Sequence, residues 1–201
     1  MNGNANLAER EEASTASLAL VVGLMIGVAA AVVLATAPFT ALVGQSRAAL
    51  ASAFHGLSAF LYLIVGTIGL YLGWRLFVGR ILAFADLQLL ATVSATLSLI
   101  AIVFGNWLYI FYRAKDPSSP RSWFLANMPE VHKIFFEFKE FMALFTLPLT
   151  VAAAFILWYY GAQVLDRKWM RYTVAVLLAL AFFYLVVAFG LGAAVTKLKP
   201  A

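Results

Sequence analysis

The sequence contains no cysteine, which excludes disulfides, thiolate metal sites, iron–sulfur clusters and haem attached through a Cys-x-x-Cys-His motif. Charged residues are also scarce, at 11% of the 201 residues, whereas soluble domains carry about 25%. Hydrophobic residues instead make up 64% of the chain. Water therefore cannot be the main solvent of this protein, and a cytosolic globular enzyme is excluded.

The net charge of +5 does not indicate nucleic-acid binding, because the basic residues lie in short segments between long apolar runs. This distribution is typical of the loops that anchor a helical membrane protein at the water interface. The predicted partners are therefore the membrane itself and other membrane-protein subunits, and no nucleic acid. We expect the protein to be integral to a bacterial inner (plasma) membrane.

Five apolar runs have the roughly 20 residues that a helix needs to cross the hydrocarbon core: 17–43, 49–74, 87–112, 141–161 and 172–196. The sequence therefore predicts an all-α integral membrane helical bundle of five transmembrane helices. Residues 1–15 are expected to form a polar N-terminal tail, and 16–201 a single domain. The first run is expected to be retained, because it is too long for the core of a signal peptide and acidic residues precede it.

Five spans place the two termini on opposite sides of the membrane; we call the side of the C-terminus side B and the other one side A. The basic residues divide almost evenly, so only the compact loop 166–171 favours side A as the cytoplasmic side. The longest connection, 113–131, lies on side B and is rich in proline and serine. We expect it to lie along the membrane surface through Trp123 and Phe124 and to cap any site beneath it.

The two histidines, His55 and His132, each stand near the start of a predicted span that runs from side B to side A. We therefore expect them in the same half of the membrane, on neighbouring helices and facing each other. Two neutral imidazoles can ligate one haem iron from opposite sides, so the pair predicts one bis-histidine b-type haem. One observation argues against placing the two histidines at the same depth in the membrane. The apolar core of the fourth span begins only at Phe141, about 13 Å beyond His132 at 1.5 Å per residue.

Residues near the two histidines suit a porphyrin. Gly66 lies on the helical face of the first histidine, where small residues allow a flat macrocycle to approach. Phe135 and Phe136 follow the second histidine and would contact the apolar body of the ring, while Lys139 would meet a propionate. Asn106 ends the third span on side B, where it would bond an imidazole, a propionate or a quinone carbonyl.

Two carboxylates follow His132 by one to two helical turns. Ionisable groups at membrane depth usually line a functional cavity. We therefore expect Glu140, the deeper one, to transfer protons for a quinone, with Glu137 as its orienting partner. The alternative is a solvated helix face in which Lys133 pairs with Glu137 four residues on.

These residues lead to the hypothesis of an electron-transfer subunit in a larger respiratory or photosynthetic complex. Its b-type haem would exchange electrons with a redox partner on side B, the side of the C-terminus, and with quinone. The chain is then expected to be a non-catalytic subunit of an oxidoreductase complex. Two alternatives stay open: a cofactor-free accessory subunit with interfacial histidines, and a subunit that binds a chlorophyll-type pigment through each histidine.

Overall fold

In a computed structural model, which describes residues 46–198, the chain is helical apart from short connections and contains no strand in that range. The elements are α1 (Arg47–Phe77), α2 (Phe84–Tyr112), α3 (Pro120–Asn127), a π-helical segment (Val131–Phe136), α4 (Glu137–Tyr160), α5 (Gln163–Asp166) and α6 (Lys168–Leu198). Four helical stretches among the described residues are long and apolar enough to cross a membrane. The prediction of an all-helical membrane protein is confirmed. The first predicted span, 17–43, and the tail, 1–15, lie outside the described residues, so the count of five stays a prediction.

The ends of α1 follow from local hydrogen bonding. The hydroxyl of Ser46 accepts a hydrogen bond of 3.1 Å from the backbone N–H three residues on and so caps the first turn. At the other end, the N–H of Gly79 donates to the carbonyl of Leu76, and the N–H of Arg80 donates to that of Arg75. These two bonds form a Schellman motif, with Gly79 in the left-handed region at a φ of +70°. The chain is thereby turned back toward α2.

The four long helices pack as an antiparallel bundle. Helix α1 packs on α2 and α6, and α4 packs on the same two helices, so α1 and α4 occupy diagonal corners. These are the helices that carry the two histidines, since the π-helical segment continues into α4. The prediction that they are neighbours is wrong, because α2 and α6 fill the two sides between them.

The two halves of the bundle differ in polarity. The side-A half has an apolar core whose members include the fully buried Leu76, Leu87, Leu157, Val164 and Val174. From the middle of the bundle to side B, polar side chains are buried as well, namely Ser58, Ser94, Ser98, His132, Thr146 and Thr150. Because buried polar groups in a membrane mark functional regions more often than apolar ones do, the candidate site is sought in this second half.

The connection between α2 and α4 contains a short helix as well as turns. Helix α3 begins at its N-cap Ser119 with Pro120 in the first turn, a combination that favours helix initiation. Phe124 on α3 is buried against Tyr112 and Val195, so α3 packs over the side-B end of α2 and α6. That the segment also lies along the membrane surface stays a prediction.

A turn at Asp116 precedes α3. The carboxylate of Asp116 accepts two hydrogen bonds of 2.8 Å, one from the backbone N–H and one from the hydroxyl of Ser118. Both bonds stabilise the ionised form, so they hold the pKa of Asp116 below its ordinary value. The turn is therefore best formed at neutral pH, where this carboxylate is charged.

Candidate functional site

His132 is the centre of a polar cluster at the side-B end of the bundle. Its ring is buried, with 3% of the residue exposed. The Nδ1 atom lies 2.8 Å from the hydroxyl oxygen of Tyr112, and the Nε2 atom lies 3.8 Å from a carboxylate oxygen of Glu137. Glu137 also lies 3.4 Å from the guanidinium of Arg113. We call these four residues, Arg113, Glu137, His132 and Tyr112, the side-B relay.

The π-helical segment Val131–Phe136 sets the orientation of His132. The N–H of Glu137 reaches back five residues to the carbonyl of His132, instead of the four residues of an α-helix. The extra residue lets His132 face the bundle, while the next three side chains, Lys133, Ile134 and Phe135, are exposed. Such segments inside α-helices occur frequently at functional sites.

Three nearly parallel aromatic rings stand beside the relay. The rings of Tyr112 and Phe136 are stacked at 4.0 Å with an interplanar angle of 3°. The ring of Tyr109 lies 6.0 Å from that of Phe136 at an angle of 13°, and the guanidinium of Arg113 lies 4.2 Å from the centre of Tyr109. The rings therefore pack on one another, and the ring of Tyr112 is buried among them.

Two further charged residues lie one turn deeper than the relay. Glu140 is partly buried, and its carboxylate lies close to the hydroxyl of Tyr109 but outside hydrogen-bond geometry. The side chain of Lys139 runs along Gly192 of α6, where a Cβ atom would lie 3.2 Å from its Cε. Its ammonium lies 5.3 Å from the centre of the Phe136 ring. The missing side chain at Gly192 therefore makes room for a lysine inside the bundle.

His55 on α1 does not belong to the relay. Its Nδ1 atom lies 2.8 Å from the carbonyl oxygen of Ala101 on α2, so Nδ1 carries the proton and Nε2 keeps its lone pair. The ring lies directly against Gly105, where a Cβ atom would be 3.1 Å from its Cε1. A hydrogen bond from Nδ1 to a backbone carbonyl is the usual way to orient a histidine whose Nε2 binds a metal.

The geometry does not present the two histidines as ligands of one iron. Their Nδ1 atoms are bonded to Ala101 and Tyr112, about three turns apart on α2, and the Nε2 of His132 faces a carboxylate. Beside His132 stand the ring of Phe136, 6.1 Å away between centroids, and the ammonium of Lys139, which lies 5.3 Å from the centre of the Phe136 ring. A haem between the two rings would require these side chains to move.

The remaining predicted residues are placed away from the relay. Asn106 is exposed on α2, and Phe135 is 47% exposed. Gly66 is buried about three turns from His55 along α1, where it packs against Phe182. The structure thus brings together Glu137, Phe136 and His132, places Lys139 and Glu140 one turn deeper, and leaves His55, Gly66, Asn106 and Phe135 apart.

Tyr112 belongs to the relay, although the sequence pattern did not single it out. A signal for it exists, because Tyr109 and Tyr112 stand three residues apart at the side-B end of a span and so share a helical face. Two tyrosines on one face at the depth of a histidine favour a hydrogen-bonded cluster over separate interfacial anchors. The pairing itself depends on the path of the connection that returns the chain to His132.

Comparison with protein-family models, curated proteins and solved structures gave no match for this chain. The geometry of the relay and of its surroundings is therefore the basis for any assignment of function.

Proposed function

We propose that the chain is a membrane subunit of an electron-transfer complex and that its side-B relay moves protons to or from a quinone. The relay itself is the observation that carries this proposal. His132 stands between the phenol of Tyr112 and the carboxylate of Glu137, so its two ring nitrogens face a proton donor and a proton acceptor. Histidine is the side chain best suited to exchange protons near neutral pH.

The relay connects water with the interior of the bundle. The side chain of Glu137 is 51% exposed and therefore open to the solution on side B, whereas that of His132 is 4% exposed. Glu140 and the hydroxyl of Tyr109 continue the series of protonatable groups one turn deeper. In this arrangement Glu137 is the outer member and Glu140 the inner one.

A quinone matches both the flat surface and the proton chemistry. Reduction of a quinone to a quinol takes up two electrons and two protons. The electrons come from the redox partner in the complex, and the relay delivers the protons to the two carbonyl oxygens. The planar headgroup would stack at the partly exposed rings of Tyr109 and Phe136, where the cation of Arg113 lies over the ring of Tyr109.

The test measures quinol-linked electron transfer in the assembly that a tagged chain retains in mild detergent, over about pH 5 to 9. His132→Gln and Glu137→Gln are expected to lower the rate by about 10²-fold and to flatten its pH profile, because each removes a titrating group from the relay. Lys133→Gln is the matched control, since Lys133 is an exposed cation of the same π-helical segment. Wild-type rates and profiles in both relay variants would reject the proposal.

A second candidate function, binding of a tetrapyrrole through one axial ligand, is favoured by His55. Its Nδ1 is bonded to a backbone carbonyl, which leaves Nε2 as a metal-binding nitrogen. Haem b and a chlorophyll-type pigment both have such a coordination position. The absorption spectrum of the purified chain, expressed with haem supplied, is expected to lose its band in His55→Ala and to keep it in His132→Ala. A wild-type chain without any band would favour the cofactor-free accessory subunit instead.

A further inference from the structure

A small cavity of about 10 Å³ lies in the middle of the bundle, where α1, α2, α4 and α6 meet. Its lining includes Tyr62, Gly66, Gly69, Ser94, Thr150 and Phe182. Gly69 gives independent support for the empty space. It is buried, yet a Cβ atom built on it would meet no other atom within 4 Å.

Hydroxyl groups with unused hydrogen-bonding capacity line this cavity. Tyr62 is 2% exposed, and its hydroxyl has no hydrogen-bond partner among the described residues. The hydroxyl of Thr150 lies close to it but outside hydrogen-bond geometry, and it donates its own hydrogen to the carbonyl of Thr146 at 2.8 Å. Ser94, also buried, is 3% exposed. An unpaired hydroxyl is strongly unfavourable in an environment that lacks water.

We propose that one water molecule occupies this cavity and is bound by Tyr62, Ser94 and Thr150. A water needs roughly 10–15 Å³ and two to four polar partners, and the cavity provides both. The water accepts a hydrogen bond from the phenol of Tyr62 and donates its two hydrogens to the oxygens of Ser94 and Thr150. Each of the three hydroxyls then has a partner.

The bound water extends the polar interior of the bundle. Ser98 and Thr146, whose hydroxyl oxygens are 2.6 Å apart, lie one turn from Ser94 and Thr150 toward side B. On the other side of the cavity, Ala91 and Ala153 belong to the apolar core of the side-A half. The water site therefore lies at the inner end of the fully buried polar side chains, and none of its residues belongs to the side-B relay.

Two glycines on α1 provide the test, with the thermal midpoint Tm of the purified full-length chain as the measurement. Gly56 is exposed and has open space at its Cβ position, so Gly56→Ala is expected to raise Tm through helix propensity alone. Gly69→Ala gains the same propensity but places its methyl in the cavity. If the cavity holds water, the methyl displaces it, leaves the hydroxyl of Tyr62 without a partner and lowers Tm below the wild-type value.

Tyr62→Phe examines the same site without adding volume. It is expected to lower Tm, because the water loses its hydrogen-bond donor. In a dry cavity the substitution would remove an unpaired hydroxyl and raise Tm. In the double variant Gly69→Ala/Tyr62→Phe, the decrease in Tm is expected to be smaller than the sum of the decreases in the two single variants, since both substitutions act on one water. A Tm at or above the wild-type value in either single variant would overturn the water site.

Discussion

At the scale of single residues, the burial of His132 depends on Tyr112. The hydroxyl of Tyr112 is the hydrogen-bond partner of the Nδ1 atom at 2.8 Å, whereas the carboxylate of Glu137 stands 3.8 Å from Nε2. A buried ring nitrogen without a partner is destabilising, because it has given up its hydrogen bond to water. The phenol therefore stabilises the fold as well as completing the relay.

Tyr112→Phe is expected to lower the free energy of unfolding by about 1–3 kcal/mol, because it leaves Nδ1 of His132 unpaired. Tyr109→Phe is the matched control. Its ring stands in the same stack, but its hydroxyl has no partner within hydrogen-bond geometry among the described residues. Denaturant unfolding of both variants in the same detergent gives the comparison. Equal losses in the two variants would show that the hydrogen bond between Tyr112 and His132 adds no stability of its own.

The sequence indicated some members of the relay and not their pairing. Glu137 and His132 are five residues apart, a spacing that an ordinary α-helix places about 140° apart, so their proximity depends on the π-helical segment, whose hydrogen bonds span five residues. Tyr112 and His132 are brought together only because the connection containing α3 folds back over the side-B end of the bundle. No periodicity within a span encodes that path, which is why Tyr112 was not predicted.

At the scale of the elements, the turn after α1 is set by Gly79. Gly79→Ala is expected to lower the free energy of unfolding by about 1–2 kcal/mol, because alanine is strained in the left-handed region. Its Cβ would also lie 2.6 Å from Nη1 of Arg171, so that side chain would have to shift. Thermal unfolding gives the measurement. Gly190→Ala is the control, because Gly190 lies inside α6 with open space at its Cβ position, and an equal loss there would contradict the assignment.

Hydropathy located the described spans well but began each of them too late. The run 49–74 corresponds to Arg47–Phe77, and 172–196 corresponds to Lys168–Leu198. The largest difference is in the fourth span, where the apolar run 141–161 is preceded by ten helical residues from Val131 on. Backbone hydrogen bonds continue through charged and interfacial residues, whereas hydropathy registers only apolar ones. The π-helical segment lies in this early part, so its turn could not be inferred from hydropathy.

At the scale of the whole molecule, the apolar core of the side-A half holds the bundle together. Leu157→Ala is expected to lower the free energy of unfolding by about 2–5 kcal/mol, because Leu157 is fully buried and its removal leaves a cavity. Leu144→Ala on the same helix is the control: Leu144 is 53% exposed, and a change within about 0.5 kcal/mol is expected. Denaturant unfolding of the two variants gives the measurement. Equally small changes in both variants would show that contacts at side B, and not this apolar core, stabilise the bundle.

The neighbours of each helix could not be predicted from apolar patterns. Lipid tails are as apolar as leucine, so a membrane helix shows no hydrophobic stripe that marks its buried face. The buried faces are marked instead by small and hydroxyl-bearing residues, such as Ser98 on α2 and Thr146 on α4, whose oxygens meet at 2.6 Å. These residues indicate that α2 and α4 are in contact, but they leave the diagonal placement of α1 and α4 undetermined.

The fully buried polar side chains extend from side B to the level of Tyr62, about halfway along the span Ala48–Phe77, and this has an electrical consequence. When one elementary charge crosses a whole membrane, its electrostatic energy changes by about 2.3 kcal/mol for every 100 mV of membrane potential. A proton that moved from Glu137 to the centre of the bundle would cross roughly half of the membrane potential. Its energy would then change by about 1 kcal/mol per 100 mV. The apolar core of the side-A half would stop it there. Proton occupancy inside the bundle would then follow the membrane voltage without any net transport of charge across the membrane.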